Sequence, residues 1–227
     1  MNYPYLEVVS SYAKDIDDLI LLITVLTGFW LILSEGVFFW LLWRYRRKDG
    51  ESAGYVTGNE KHPKSIITWC HLAVLVCDVF IIIGAIRVWV NVKQHIPDEG
   101  ETVRIVAQQW GWAFYHAGPD GEIDTADDIE LVNEMRLQEG RTYKYELGSR
   151  DVLHSLSIPS FRLKQDAIPG RWVRGWFQPV SSGVFDIQCS EMCGIGHGLM
   201  PARLVIQPAA EHAAWMATQA PVVQALN

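Results

Sequence analysis

Apolar positions along this chain follow two different patterns. From Leu19 to Trp43 they run almost unbroken, with Glu35 the one charged residue, and a second run extends from about Ser65 to Val92. Each run exceeds the roughly 20 residues needed to cross a hydrocarbon core, which predicts two membrane helices. Beyond Val92 the runs shorten to strand length. TVRIVAQQWGWAFYH, NEMRLQEG, RTYKYELGS, DVLHSLSIP, RWVRGWFQP, SGVFDIQCS and ARLVIQP are separated by turn signals such as QEG, IPG and SSG. Short strands at this spacing predict an antiparallel sandwich or barrel. AGPDGEIDTADDIE reads as an acidic turn region, and PAAEHAAWMATQA as a short helix starting near Pro208.

The pattern divides the chain into an exported N-terminal segment (1–18), a transmembrane hairpin (19–92), a β domain (93–208) and a helical tail (209–227). Within the hairpin, helices at about 19–43 and 65–92 flank a loop over 44–64. The first run follows Asp15, Asp17 and Asp18 without a basic lead and is too long for a secretory signal, so it reads as a retained helix.

Charge gives the hairpin a direction. Arg44, Arg46, Arg47, Lys48, Lys61 and Lys64 lie between the runs, whereas the N-terminal segment offers only Lys14 against several acids. The loop is therefore expected in the cytoplasm, with both termini and the β domain on the periplasmic side of a bacterial inner membrane. Trp30, Trp40, Trp43, Trp69 and Trp89 supply candidate interfacial anchors. Net charge is −7, and residues 93–227 carry 11 Lys+Arg against 17 Asp+Glu. That balance excludes a nucleic-acid partner and suits a basic protein one.

The densest chemistry is CSEMCGIGHGLM, Cys189 to Met200. On the oxidising side of a membrane a Cys189–Cys193 disulfide is permitted. Its loop would be very short and would stabilise little, and His197 and Met200 would have no role. Zinc tolerates the Cys and His spacing but gains little from a thioether. Thiolate, thioether and imidazole together suit copper best. A mononuclear blue-copper site needs one cysteine, so the second points to two metals bridged by two sulfurs. Such a core needs a second imidazole from His95, His116, His154 or His212, and His154, in a β segment ahead of the cysteine loop, is the favoured candidate.

DVLHSLSIPSFRLKQDAIPGR together with CSEMCGIGHGLM resembles subunit II of the haem–copper cytochrome c oxidases. The order of two membrane helices, a QW-x-W segment and a β domain resembles it too. The resemblance implies a cupredoxin-like domain, a Greek-key β-sandwich, carrying a binuclear CuA centre. In that match Cys189 and Cys193 bridge the coppers, and His154 and His197 bind one each. Met200 and the backbone carbonyl of Glu191 complete the set, with the Glu191 carboxylate turned to a Mg2+ or Mn2+ shared with subunit I. Trp110 matches the aromatic residue through which electrons are received from cytochrome c or an equivalent haem protein. The electron would pass to haem in subunit I, where oxygen is reduced.

The chain departs from the family in places. Gly111 replaces an aromatic residue, and Arg150 stands where relatives are often acidic. Acidic docking is left to Asp120, Glu122, Asp124, Asp127, Asp128 and Glu130, which read equally as a solvated turn or a weak Ca2+ site. Lys64, Ser65 and Ile66 occupy the place of a glutamate at the mouth of a proton path, leaving Glu35 and Asp78 as the acids within the runs. The rival enzyme is a CuA-bearing nitric oxide reductase subunit. A quinol oxidase subunit would lack the ligands, and a copper chaperone would need no membrane hairpin. No C-x-x-C-H motif occurs in this sequence, so the electron donor is expected to be a separate polypeptide.

Overall fold

The computed structural model describes residues 7–219 apart from 51 and 53. They form two compact units, Asp17–Trp89 and a second that joins the N-terminal residues through Ile16 to everything from Val90 onward.

The first unit is helical. Helix α1 spans Ala13–Arg44 and α2 spans Lys61–Trp89, the latter continued by a π turn at Val90–Gln94. Both helices start earlier than the apolar runs do. Asp15 in the first turn of α1 complements the positive end of the helix dipole there. At 32 residues α1 is about 48 Å long, well beyond a hydrocarbon core of about 30 Å. Both helices are long and apolar enough to cross a membrane. Phe29, Ile32, Phe39, Trp69 and Ile82 are exposed, and α2 holds no buried side chain. Several polar groups inside the runs satisfy themselves locally. Thr24, Thr27 and Thr68 donate to the carbonyls of Ile20, Ile23 and Lys64, and the His71 ring meets the Ile67 carbonyl at 2.8 Å. Backbone and side-chain groups paired within one segment are what a bilayer demands.

The second unit is a β-sandwich. Its strands are β1 (Glu101–Gln108), β2 (Gly111–His116), β3 (Ile129–Val132), β4 (Glu134–Gln138), β5 (Tyr143–Ser149), β6 (His154–Ile158), β7 (Leu163–Ala167), β8 (Val173–Phe177), β9 (Gly183–Cys189) and β10 (Ala202–Gln207). One sheet has the order β3-β2-β1-β5-β8 and the other β4-β10-β9-β6-β7. The expected helical pair followed by a β-sandwich is observed. Between the sheets Ile105, Phe114, Tyr145, Leu147 and Phe177 meet Met135, Leu137, Leu156, Ile187 and Leu204, all fully buried or nearly so. Each such side chain contributes about 1.5–3 kcal/mol by leaving water.

The sandwich is mixed rather than antiparallel throughout: β1 runs parallel to β5, and β10 parallel to β4. Alternation of apolar and polar residues marks strands but not their direction, which is set by the crossovers. TVRIVAQQWGWAFYH is a hairpin, β1 turning into β2 at Gln109 and Trp110. The acidic region yields β3 at its end, and LKQDA forms a further strand with a largely polar face, β7. The tail helix α3 spans Ala209–Thr218, directly after Pro208.

Residues 9–12 belong structurally to the sandwich. The Val9 and Ser11 amides donate to the Ser160 and Gln178 carbonyls at 3.1 and 3.0 Å, and the Val180 amide donates to Val9 at 2.8 Å. The Ser10 hydroxyl donates to the Phe161 carbonyl, and Tyr12 packs edge-on against Trp176.

At α3, His116 of β2 and His212 of the helix itself both pack against Trp215, with the Arg136 guanidinium over the same indole. Burial, helped by neighbouring His212, pushes His116 down to about 3. His212 is lowered as well, by burial and then by Arg141. The unfolded chain takes up these protons near pH 6.5, whereas the folded protein resists, so acid favours unfolding. Urea unfolding of the detergent-solubilised chain, followed by near-ultraviolet circular dichroism, is expected to lose stability as pH falls from 6.5. His116 alone accounts for about 2–3 kcal/mol of that loss by about pH 4.5. His116→Phe should remove most of its share of the slope. An unaltered slope would assign the acid sensitivity to other groups.

Candidate metal centre

Two neighbouring strands bring the predicted donors together. Strand β6 pairs antiparallel with β9, with Leu156 opposite Cys189. His154 lies two residues before Leu156 and therefore shares its inward face. Both are fully buried. Cys189 ends β9, and the chain then loops from Ser190 to Pro201 before returning as β10. The Ser190 amide anchors the start of this loop on the Ser155 carbonyl at 2.9 Å. A tight turn then directs His197 back toward the cysteines, its amide donating to the Gly194 carbonyl at 3.1 Å.

The side chains converge. The Cys189 and Cys193 sulfurs stand 3.9 Å apart, and both cysteines are free. His154 Nδ1 lies 3.9 Å from Cys189 Sγ, and His197 Nδ1 3.6 Å from Cys193 Sγ. The Cys189 thiol donates to the Glu191 carbonyl at 3.3 Å, and the Cys193 thiol faces Met200 Sδ at 3.3 Å. Metal–sulfur bonds of about 2.3 Å let two sulfurs at this separation share an ion between them. Among the described residues, His154, Cys189 and Cys193 place their ligand atoms within 4.8 Å of one another. Burial, then the neighbouring Cys189 thiol, raises the Cys193 thiol to about 11, so a bound cation would displace its proton.

Supporting groups fix the imidazole. His154 Nε2 donates to Asp151 Oδ1 at 2.9 Å, which leaves the Nδ1 lone pair facing the sulfurs. Burial alone would raise the Asp151 carboxyl, but the His154 ring and the amides of Gln109 and Val152 hold it below the usual carboxylate range. Behind the site, the Trp112 indole N–H donates to the Met200 carbonyl at 3.1 Å, and its ring meets His154 edge-on.

Trp110 and Trp112 do not share a packed face. Strand β2 begins at Gly111, so Trp112 is buried while Trp110, in the turn, is 44% exposed. The Trp110 ring lies against the glycines of the ligand loop: a Cβ at Gly196 would stand 2.4 Å from its Cδ2, and one at Gly194 3.3 Å from its Cζ2. Met192, Ile195 and Leu199 are exposed on the same loop.

The other candidate histidines lie elsewhere. His116 packs against Trp215 of α3, His212 lies on α3 itself, and His95 is exposed after the π turn. In the acidic region Asp127 accepts from Thr125 and the Asp120 amide, Asp128 from the Asp124 amide, and Glu130 from Tyr115, while Asp124 pairs with Arg104. These carboxylates hold their own loop in place. Sequence reasoning gave no site role to Gln109, Asp151 or Trp112. The polar QQ pair ahead of WGW and the acid three residues before His154 were the available signals.

Residues 101–208 match the family model for the periplasmic domain of cytochrome c oxidase subunit II. The chain is 28% identical to the alternative cytochrome c oxidase subunit 2 of Bradyrhizobium diazoefficiens, an alignment covering 90% of this chain and 80% of that protein. It is 27% identical to cytochrome c oxidase subunit 2 of Cereibacter sphaeroides, over 84% of this chain and 74% of the relative. A crystal structure of the periplasmic domain of cytochrome oxidase subunit II from Bradyrhizobium japonicum is 29% identical, with a TM-score of 0.49. It covers 55% of this chain and 96% of its own.

Gly196→Ala is expected to push Trp110 off the loop at a cost of about 1–3 kcal/mol. Fluorine NMR of fluorotryptophan-labelled protein checks this, with Trp110→Phe assigning the resonance that should move. A resonance that stays in place would mean the loop yields instead of the ring.

Proposed function

From the match of residues 101–208 to the family model and the similarity of most of the chain to two oxidase subunits 2, we propose that this chain is a member of the cytochrome c oxidase subunit II family, the electron-accepting subunit of a haem–copper terminal oxidase, holding a binuclear copper centre of the CuA type. The observation that carries this reading is the meeting of two free thiols, two imidazole nitrogens, a thioether and a carbonyl, with successive neighbours 3.3 to 3.9 Å apart. Cys189 and Cys193 would bridge the ions, His154 and His197 would supply one nitrogen each, and Met200 and the Glu191 carbonyl would complete the set. Zinc has little use for the buried thioether, whereas copper is suited to it. When bound, the copper pair supplies reversible one-electron chemistry.

The residues around it do the rest. His154, Cys193 and Met200 are buried, which keeps water from that side of the site, while Cys189 and His197 are half-buried. Asp151 holds the His154 tautomer, and β6 and β9 fix the positions of two donors before any metal arrives. A preformed site limits rearrangement when the charge of its contents changes. Trp110 presents one face to solvent and the other to the ligand loop, as a residue receiving electrons from a docked haem protein needs to. The donor is cytochrome c or an equivalent haem protein, docking through the acidic surplus of the domain. Haem in subunit I receives the electron and oxygen is reduced there, with the Glu191 carboxylate free to meet a Mg2+ or Mn2+ at that interface.

The helical unit serves as a hairpin anchor in lipid and against subunit I. Packing of Val9, Ser10 and Tyr12 on the sandwich supports placing the N-terminus on the periplasmic side with the domain. The basic loop then falls in the cytoplasm.

The full chain, solubilised in detergent and loaded with copper, is expected to bind two copper ions and to show hyperfine splitting spread over two copper nuclei. Splitting from one nucleus, or preference for zinc, would sink the binuclear assignment. In the assembled complex, Trp110→Phe should slow reduction by the haem donor about tenfold or more, a barrier change of at least about 1.4 kcal/mol, with the midpoint potential unchanged. Stopped-flow reduction and a redox titration read the two quantities separately. Turnover of O2 rather than NO by the complex distinguishes the oxidase from a nitric oxide reductase.

A further inference from the structure

The turn between β1 and β2 lies between the Asp151 turn that leads into His154 and the loop that carries Cys193. Gln109 occupies it and bonds in both directions. Its backbone amide donates to Asp151 Oδ2 at 2.7 Å, on the side of His154. Its side-chain amide donates to the Cys193 carbonyl at 2.7 Å, on the side of the cysteine loop. Because Asp151 Oδ1 accepts from His154 Nε2 at 2.9 Å, one hydrogen-bonded chain links the His154 ring to the Cys193 backbone.

We propose that Gln109 is a positioning residue, a two-armed brace that sets the distance between the His154 side and the Cys193 side of the metal centre. The inference rests on the two loops holding a metal, as proposed above. Three observations support it. The β6–β9 pairing ends at Cys189, so Cys193, His197 and Met200 lie on a loop with no ladder of its own. Within this loop Cys193 contacts both His197 and Met200, so its backbone position governs half of the donors. The Gln109 side chain also ends against Gly194, where a Cβ would stand 3.0 Å from Nε2. The amide therefore seats on the outer surface of the loop directly over its left-handed residue, Gly194 at φ 121°. Gln109 is itself exposed and adds nothing to the sandwich core, so its side chain can be altered without unfolding the domain.

The two arms can be cut separately. Gln109→Met keeps the shape and the backbone bond to Asp151 but loses the donor to Cys193. Asp151→Asn weakens the other arm. In the copper-loaded full chain, Gln109→Met is expected to weaken copper retention about tenfold or more, in line with the usual effect of removing a group that orients a ligand. It should also shift the midpoint potential and change the nitrogen hyperfine coupling of His197, leaving that of His154 nearly intact. Asp151→Asn should do the reverse. Electron–nuclear double resonance with selectively labelled histidine reads the two couplings, and Gln109→Asn, too short to reach Cys193, should behave as Gln109→Met does. A wild-type chain that takes up no copper defeats the proposed function itself. The brace fails if the wild type loads normally and Gln109→Met matches it in retention, potential and both couplings.

Discussion

Everything in the β domain depends on holding soft donors together where no covalent bond joins them. Two thiols, two imidazoles and a thioether would relax apart on a free loop, since ordering each costs conformational entropy. The fold removes that freedom in two ways. Leu156 opposite Cys189 in the β6–β9 ladder fixes one histidine and one cysteine by backbone hydrogen bonds. The remaining donors are fixed by contacts made from behind and from the side, through Trp112 on the Met200 carbonyl and Gln109 on the Cys193 carbonyl. The parallel pairing of β1 with β5 serves the same end, because the Arg150 amide that follows β5 donates to the Ala107 carbonyl of β1 at 3.0 Å. The Asp151 turn is thereby held beside the Gln109 turn.

The helical unit obeys a different constraint. Its exposed apolar side chains need lipid or protein around them, and its hydroxyls are already bonded to carbonyls one turn back. Glu35 and Asp78 stand out against that background as exposed carboxylates on otherwise apolar helices. An ionisable group in such a setting faces protein or water rather than hydrocarbon. Both units thus expose surfaces that imply neighbours, one through apolar faces and the other through the rim of Met192, Ile195 and Leu199 around Trp110.

Much of this was legible from residue order. The helices announced themselves because contact with lipid on all sides demands uninterrupted apolar runs, and C-x3-C-x3-H-x2-M announced itself because few chemistries need those side chains at that spacing. His154 was reachable by counting ligands, since two bridging sulfurs leave one imidazole missing. The hairpin at Gln109 and Trp110 was not visible, because its turn lacks the usual Asn-Gly or Asp-Gly pair. Strand β7 was hidden by Lys164, Gln165 and Asp166, a polar run that pairs with β6 without entering the core.

Sequence alone therefore determined which side chains could form a metal centre and which segments could enter lipid, since both follow from chemical type and local spacing. Tertiary structure decided what holds them: that His154 and not His116 or His212 meets the cysteines, that Trp110 faces solvent while Trp112 backs Met200, and that Gln109 spans the two ligand loops. The reason is that strand partners and turn contacts join residues far apart in the chain, 84 positions from Gln109 to Cys193 and 42 from Gln109 to Asp151. No local pattern records such separations, because the packing of the two sheets sets them.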